Sequence, residues 1–135
     1  MANIYKGIRA ALESQLTNIA SVPDIAYENV AYDPKTGVSY IEVKFIPVNK
    51  RPAVRGLNPQ QRYDGVFAIN CYVPEGFGPA AADTLANNVM DAFEATTKLT
   101  HSDVTVSIDY AERQQGILDA PWYFVPVNIG WYAYN

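Results

Sequence analysis

Apolar residues recur at helical spacing near the start of the chain and predict an amphipathic helix over residues 3–19. Asn3 is suited to the N-cap, because its side chain can accept a hydrogen bond from a free N–H of the first turn. Pro23 ends the segment, since a proline pushes the residue before it out of the helical conformation. The apolar stripe consists of Ile4, Ile8, Ala11, Leu12, Leu16 and Ile19.

Two shorter segments follow and together predict a β-hairpin. Residues 25–31 and 40–46 are the expected strands, and residues 33–37 between them have the composition of a turn. In the second strand apolar and charged side chains alternate, which is typical of a half-buried sheet. The alternating residues are Ile41, Val43 and Phe45 on one face and Glu42 and Lys44 on the other.

The strongest strand pattern covers residues 63–73, where both faces are largely apolar, so we expect a central strand. A second helix is predicted over residues 79–98, with Pro79 in its first turn. Its apolar stripe consists of Ala82, Leu85, Ala86, Val89, Met90 and Phe93.

Alternation predicts two further strands, at residues 104–110 and 122–134, joined by a polar connection at 111–120. Pro126 has no N–H to donate, so the last strand is expected at a sheet edge or with a bulge. The predicted order is α-β-β-β-α-β-β. This order indicates an α+β fold with a mixed, mainly antiparallel sheet and two helices packed on one face.

Composition narrows the functional class. The chain has 135 residues, 49% hydrophobic and 18% charged, which indicates a single globular domain over residues 1–135. A net charge of -4 disfavours a protein that coats nucleic acid. No segment approaches the roughly 20 apolar residues that span a membrane. We also expect no secretory leader and therefore synthesis in a cytosol.

The sequence contains few residues that could act together in catalysis. Cys71 is the only cysteine and lies in an apolar strand, whereas His101, the only histidine, lies in a polar connection. A Cys–His pair is therefore not predicted. The turn at residues 75–78 lacks the Lys-Ser/Thr of a phosphate loop. The carboxylates of the second helix are expected to be solvated; they are Asp83, Asp91 and Glu94. We predict no catalytic, metal-binding or cofactor-binding residue, and no enzyme.

A long segment at about residues 47–62 is predicted as a loop or extended arm, because it contains three prolines and little periodicity. It is basic in an acidic chain, with no acidic residue between Phe45 and Tyr63. Two interpretations stay open: a solvated arm, or a mobile arm that meets an acidic partner or a nucleic-acid backbone without reading its sequence. The cations are Lys50, Arg51, Arg55 and Arg62.

The C-terminal segment is rich in aromatic residues, a type that is enriched at protein interfaces. Either this strand packs into its own sheet, or it presents an aromatic edge to another subunit. The candidate interface residues in it are Trp131, Tyr132 and Tyr134.

Residues 62–78, RYDGVFAINCYVPEGFG, resemble a segment of phage tail terminator proteins. In that group a strand that starts at a glycine ends in a Pro-x-Gly-x-Gly turn. A helix with alanine, leucine and a final phenylalanine then follows, as in residues 82–93. The order of elements is similar over most of the chain, and the specific part of the resemblance is residues 62–93.

The resemblance implies a mixed sheet flanked by helices and a hexameric ring on the finished end of a phage tail tube. Such a ring stops tube polymerisation, offers a surface to head-completion proteins and lets DNA pass through its lumen without sequence-specific binding. It implies a virion protein at the head–tail junction, assembled in the host cytoplasm, with no cofactor and no catalysis. The basic candidates would then face the tube, the next subunit or the lumen, and the last strand and the arm would supply the contacts between subunits. The alternatives are another head–tail connector or minor tail protein, or a small enzyme.

Overall fold

A computed structural model of the chain describes residues 4–19, 22–53, 56, 60–76 and 78–135. Its helices are α1 (Ile4–Thr17) and α2 (Ala80–Ala92). Its strands are β1 (Asp24–Ala26), β2 (Tyr40–Pro52), β3 (Gln61–Pro74), β4 (Lys98–His101), β5 (Val104–Arg113), β6 (Ile117–Asp119) and β7 (Trp122–Tyr134). The predicted N-cap Asn3 lies outside the described residues. No helix among these residues is long and apolar enough to cross a membrane.

The strands form one sheet in the order β1-β2-β3-β7-β5-β4, and β6 pairs with β7 beyond the end of β5. The β1–β2 pair is parallel and the other pairs are antiparallel, which confirms the predicted mixed, mainly antiparallel α+β fold. The order of the long elements is also as predicted. The short strands β4 and β6 are additions, formed where the chain turns back to pair with β5 and β7.

The predicted hairpin between the first two strands is wrong. β1 pairs with β2 in parallel, with Asp24 opposite Tyr40, because the connection at residues 27–39 returns the chain to the same end of the sheet. The second helix is also shorter than predicted. After Ala92 the backbone of Thr96 and Thr97 bonds to Ile108 of β5 at 2.9 and 2.8 Å, so sheet pairing replaces the last helical turn.

The prediction that residues 122–134 form an edge strand is also wrong, since β7 lies between β3 and β5. The Pro126 carbonyl accepts a hydrogen bond from the N–H of Gln114, in the connection between β5 and β6, at 2.9 Å, so the backbone nitrogen of Pro126 points to the same side. The missing donor of Pro126 therefore faces the gap between those two strands rather than the β3 ladder.

Both ends of the predicted arm at residues 47–62 belong to a hairpin, because β2 continues to Pro52 and β3 begins at Gln61. The Ala53 N–H donates to the Gln60 carbonyl at 2.7 Å and extends the ladder one step further. Pro47 and Pro52 are accommodated because β1 pairs only with residues 40–42, which leaves the rest of β2 as an edge.

Both helices pack on one face of the sheet, as predicted. α1 buries Ile8, Leu12 and Leu16, which form one apolar stripe. Gln15 of α1 donates to the Ala92 carbonyl at 2.8 Å and so ties α1 to the end of α2. Phe93 follows α2 and meets Phe67 of β3 edge to face, with ring centroids 6.0 Å apart.

The other face of the sheet carries no helix among the described residues. At one end it holds a small aromatic cluster in which Tyr40 stacks on Tyr72 at 4.6 Å and meets Trp122 edge to face. At the other end it carries Arg51 and Arg62 of the β2–β3 hairpin, so the two ends differ in chemistry.

Candidate interface at the end of the β2–β3 hairpin

The register of the hairpin separates the predicted cations. Arg51 lies directly opposite Arg62 on the helix-free face, whereas Lys50 lies opposite the buried Tyr63 on the helix face. Side chains alternate along a strand, so adjacent Lys50 and Arg51 point to opposite sides. The Lys50 ammonium lies 5.6 Å from the Tyr63 ring centre. Arg55 lies outside the described residues.

Arg62 is held by side chains of its own strand β3 and of the neighbouring strand β7. Its guanidinium lies over the Tyr132 ring at 4.6 Å and donates to the Tyr134 hydroxyl at 3.3 Å. Its Nε donates to Asp64 Oδ2 at 3.4 Å. Burial would lower the pKa of Arg62, but Tyr134 and Asp64 outweigh it and raise that pKa, so Arg62 remains a cation.

One carboxylate serves both arginines of this surface. Arg51 Nη2 lies 3.7 Å from the same Asp64 oxygen that Arg62 contacts. The Arg51 side chain is 61% exposed, so its long contact to Asp64 contributes little and its charge stays available. The local surplus of positive charge is suited to an anionic group on a partner.

The aromatic candidates divide between surface and core. Tyr132 and Tyr134 meet edge to face at 5.9 Å on the helix-free face, and Tyr134 is 45% exposed. Trp131 is 1% exposed and stacks on Phe45 at 5.2 Å in the core. Its indole Nε1 has no hydrogen-bond partner among the described residues. The Trp131 side chain is therefore part of the core and not part of a surface.

A second charged cluster, which the sequence did not indicate, fixes the middle of β2. Glu28 accepts hydrogen bonds from the Phe45 N–H and from Arg9 Nη1, the latter at 2.9 Å. Arg9 also lies over the Phe45 ring at 4.8 Å. Burial would raise the pKa of Glu28, but the Phe45 and Arg9 contacts dominate and lower it. This cluster caps the edge of β2 at Phe45 and ties it to α1.

The residues considered for catalysis, all within the described ranges, lie apart from one another. Cys71 is buried in β3, and burial raises its pKa to about 12, while His101 lies exposed on β4 with β7 and β5 between them. Asp83 is paired with Arg113 at 2.7 Å. Across the part of the chain that the structure describes, no three His, Cys, Asp or Glu side chains are placed to hold a metal ion.

Comparison with known proteins gives a family and a fold. A family model described as phage tail terminator protein matches residues 7–131. A solved structure of a protein without a functional name has a TM-score of 0.73 and 22% identity, covering 95% of this chain and 93% of that one. A chain from the virion of a native gene transfer agent particle has a TM-score of 0.64 and 18% identity, with 100% of both chains covered. No curated protein matches the sequence.

Proposed function

This chain belongs to the phage tail terminator family, and on that premise we propose that it caps the tail tube, ends tube polymerisation and forms the surface for head attachment. The observation that carries the proposal is the family match, which extends from α1 to β7. Its proposed place is the head–tail junction of the virion, after assembly in the host cytoplasm, and its role is structural and not enzymatic.

The proposed active form is a hexameric ring through which DNA passes without sequence-specific binding. A ring needs heterologous contacts, in which one patch of a subunit meets a different patch of the next. The chain offers separate surfaces for separate partners. We assign the hairpin end, with Lys50, Arg62, Tyr132 and Tyr134, to the tail tube protein or the head-completion protein.

The first test is the native mass of the purified chain, by light scattering over a wide concentration range, with and without tail tube protein. A hexamer, alone or on the tube, together with tubes that stop growing, is the expected result. A chain that stays monomeric and never binds the tube would overturn the proposal. Binding to the head-completion protein without binding to the tube would instead identify a neighbouring connector.

The second test reverses one exposed charge at the hairpin end. Lys50→Glu should weaken tube or head-completion binding about tenfold, which is roughly 1.4 kcal/mol. The matched control is Lys35→Glu, the same change in an exposed turn that precedes β2 and so lies at its opposite end. Equal binding by both variants would remove the hairpin end from the proposed interface and leave the capping role to the first test.

A further inference from the structure

The two lateral edges of the sheet are stepped. At the hairpin end the strands lie in the order β2-β3-β7-β5-β4, and at the other end in the order β1-β2-β3-β7-β6. The steps arise because β1 covers only residues 40–42 of β2 and β4 covers only residues 104–107 of β5. Each edge therefore has one protruding strand and one recess, in opposite positions along the strands.

β4, which protrudes from one edge, occupies the same rows of the sheet as the part of β2 that β1 leaves uncovered at the opposite edge. Register links Asn49 of β2 to Asp64, and Asp64 to Tyr132 of β7. Tyr132 is opposite Ser107 of β5, which is opposite Lys98 of β4. Asn49 and Lys98 thus occupy one row across the sheet, at opposite edges.

In the same way, β1, which protrudes from one edge, occupies the same rows of the sheet as β6 at the opposite edge. Asp24 pairs with Tyr40, and Tyr40 with Tyr72 of β3. Tyr72 is opposite Phe124 of β7, which is opposite Ile117 of β6. In a second copy placed beside the first with its rows aligned, the protruding strand of each edge would therefore fit the recess of the other edge at both ends of the sheet.

Exposed apolar side chains are concentrated along these two edges. Such side chains are a liability on a free sheet edge and are typical of an interaction surface. Near β1 and β2 they are Val30, Val38, Ile46 and Val48, and near β5 and β6 they are Tyr110, Ile117 and Leu118. Among the described residues, Tyr134 is the one large exposed hydrophobic residue outside these edges.

At the hairpin end both edges carry cations, with Lys98 on β4, but an exposed carboxylate follows β4 and none lies on the uncovered part of β2. The uncovered part of β2 carries Lys50 and Arg51 and no acidic residue. The turn between β4 and β5 carries the exposed Asp103, at the end of the sheet where Arg51 lies. The registers place Arg51 in the row of Thr100, and Asp103 lies in the turn just beyond that row. Opposite charges at this same end of the two edges favour a neighbour in the same orientation, because a two-fold related copy would bring like edges together.

We propose that a second copy of this chain docks edge to edge in the same orientation, with its β4 beside the free half of β2 and its β6 beside β1. In this contact Arg51 faces Asp103 of the neighbouring copy. The proposal rests on the ring assembly proposed above and names the surfaces that would close it. Pro47 and Pro52 withhold two N–H donors from this part of β2, so side chains supply the contact.

The first experiment exchanges charges between the two edges and measures self-association by light scattering, on the tail tube if the chain assembles only there. Arg51→Glu and Asp103→Arg should each weaken assembly about tenfold or more. An equimolar mixture of the two variants should restore it, because each then offers the complementary edge to the other in an alternating ring. The matched control is Asp91→Arg, which reverses an exposed charge on α2, away from both edges.

The second experiment tests geometry and does not depend on charge. The double variant Asn49→Cys, Lys98→Cys should give a ladder of covalent oligomers with a short thiol crosslinker, while either single variant gives at most dimers. The control pair Asn49→Cys, Asp91→Cys places the second thiol on α2 and should give no ladder. Cys71 is buried and does not compete.

The outcomes separate this inference from the proposed function. A wild-type oligomer that forms a ladder and responds to charge exchange supports both. A wild-type oligomer with no ladder, or with no rescue in the mixture, overturns the edge contact and leaves the capping role standing. A wild-type chain that never self-associates, even on the tube, overturns both.

Discussion

Gly65 lies where β3 passes the register shift of β2 between Pro47 and Asn49. A Cβ at this position would overlap the Ile46 carbonyl oxygen, lie 2.7 Å from Trp131 Cζ2 and lie 3.0 Å from Pro47 Cα. Two of these neighbours are backbone atoms and the third belongs to a buried ring, so none can move alone. Gly65→Ala should therefore displace β2 from β3.

The size of the effect follows from what must move. Inserting a methyl group into a packed site typically costs about 1–3 kcal/mol. The smaller conformational freedom of alanine in the unfolded chain offsets about 0.4–1 kcal/mol of that. We therefore expect Gly65→Ala to lower the free energy of unfolding by about 0.6–2 kcal/mol after this offset.

Gly130→Ala is the matched control in the same sheet. The three atoms nearest to a Cβ at Gly130 all belong to the Tyr110 ring, which is 39% exposed and can rotate into solvent. This variant should lose less than about 1 kcal/mol, the scale of a single cross-strand side-chain contact. Urea unfolding followed by tryptophan fluorescence and circular dichroism gives both values. Equal losses for the two variants, or a neutral Gly65→Ala, would refute the argument that immovable backbone sets the cost.

Three further predictions concern the core, acid stability and the thiol. Phe93→Ala should cost about 3–5 kcal/mol in urea unfolding, because its buried ring joins the end of α2 to the sheet; a loss under 1 kcal/mol would contradict that role. The lowered pKa of Glu28 stabilises the fold above the unfolded pKa of Glu, and this stabilisation is lost as pH falls through the lower folded pKa. Glu28→Gln should thus be less stable than wild type at pH 7, with the difference shrinking in acid; a difference independent of pH would refute the assignment. Cys71 should react with a thiol reagent at pH 8 only as fast as the protein opens, since burial raises its pKa to about 12; rapid labelling of the native chain would show an accessible thiol.

Elements with strong local periodicity were predictable from the sequence, and elements defined by a distant partner were not. The helices and long strands follow from the spacing of apolar residues, as for Ile8, Leu12 and Leu16 of α1. The parallel β1 and the short β4 and β6 exist because of pairing with remote strands. Pro126 misleadingly suggested an edge strand, because the effect of its missing N–H depends on what lies beside it. That position lies between the ends of β5 and β6.

The candidate interface was predictable in part. The basic character of the hairpin end is visible in the sequence, but the separation of Lys50 from Arg51 and Arg62 follows only once the register is known. Trp131 could have been placed correctly, because it alternates in phase with the buried Val127 and Ile129. The stepped edges could not be predicted from the sequence. The position of each short edge strand along the sheet depends on the registers of all the strands between the two edges.

The matched heights of the two edges also set the pitch of any assembly built from them. Neighbours that meet row for row have no rise along the strands, so the contacts close into a ring and growth is self-limiting when the rotation between neighbours is a whole fraction of a turn. A slip of two residues, the smallest that keeps each side chain on its own face, would add about 6.8 Å of rise per subunit and produce an open spiral. The strand registers would in this way decide whether the subunits form a closed ring or an open filament.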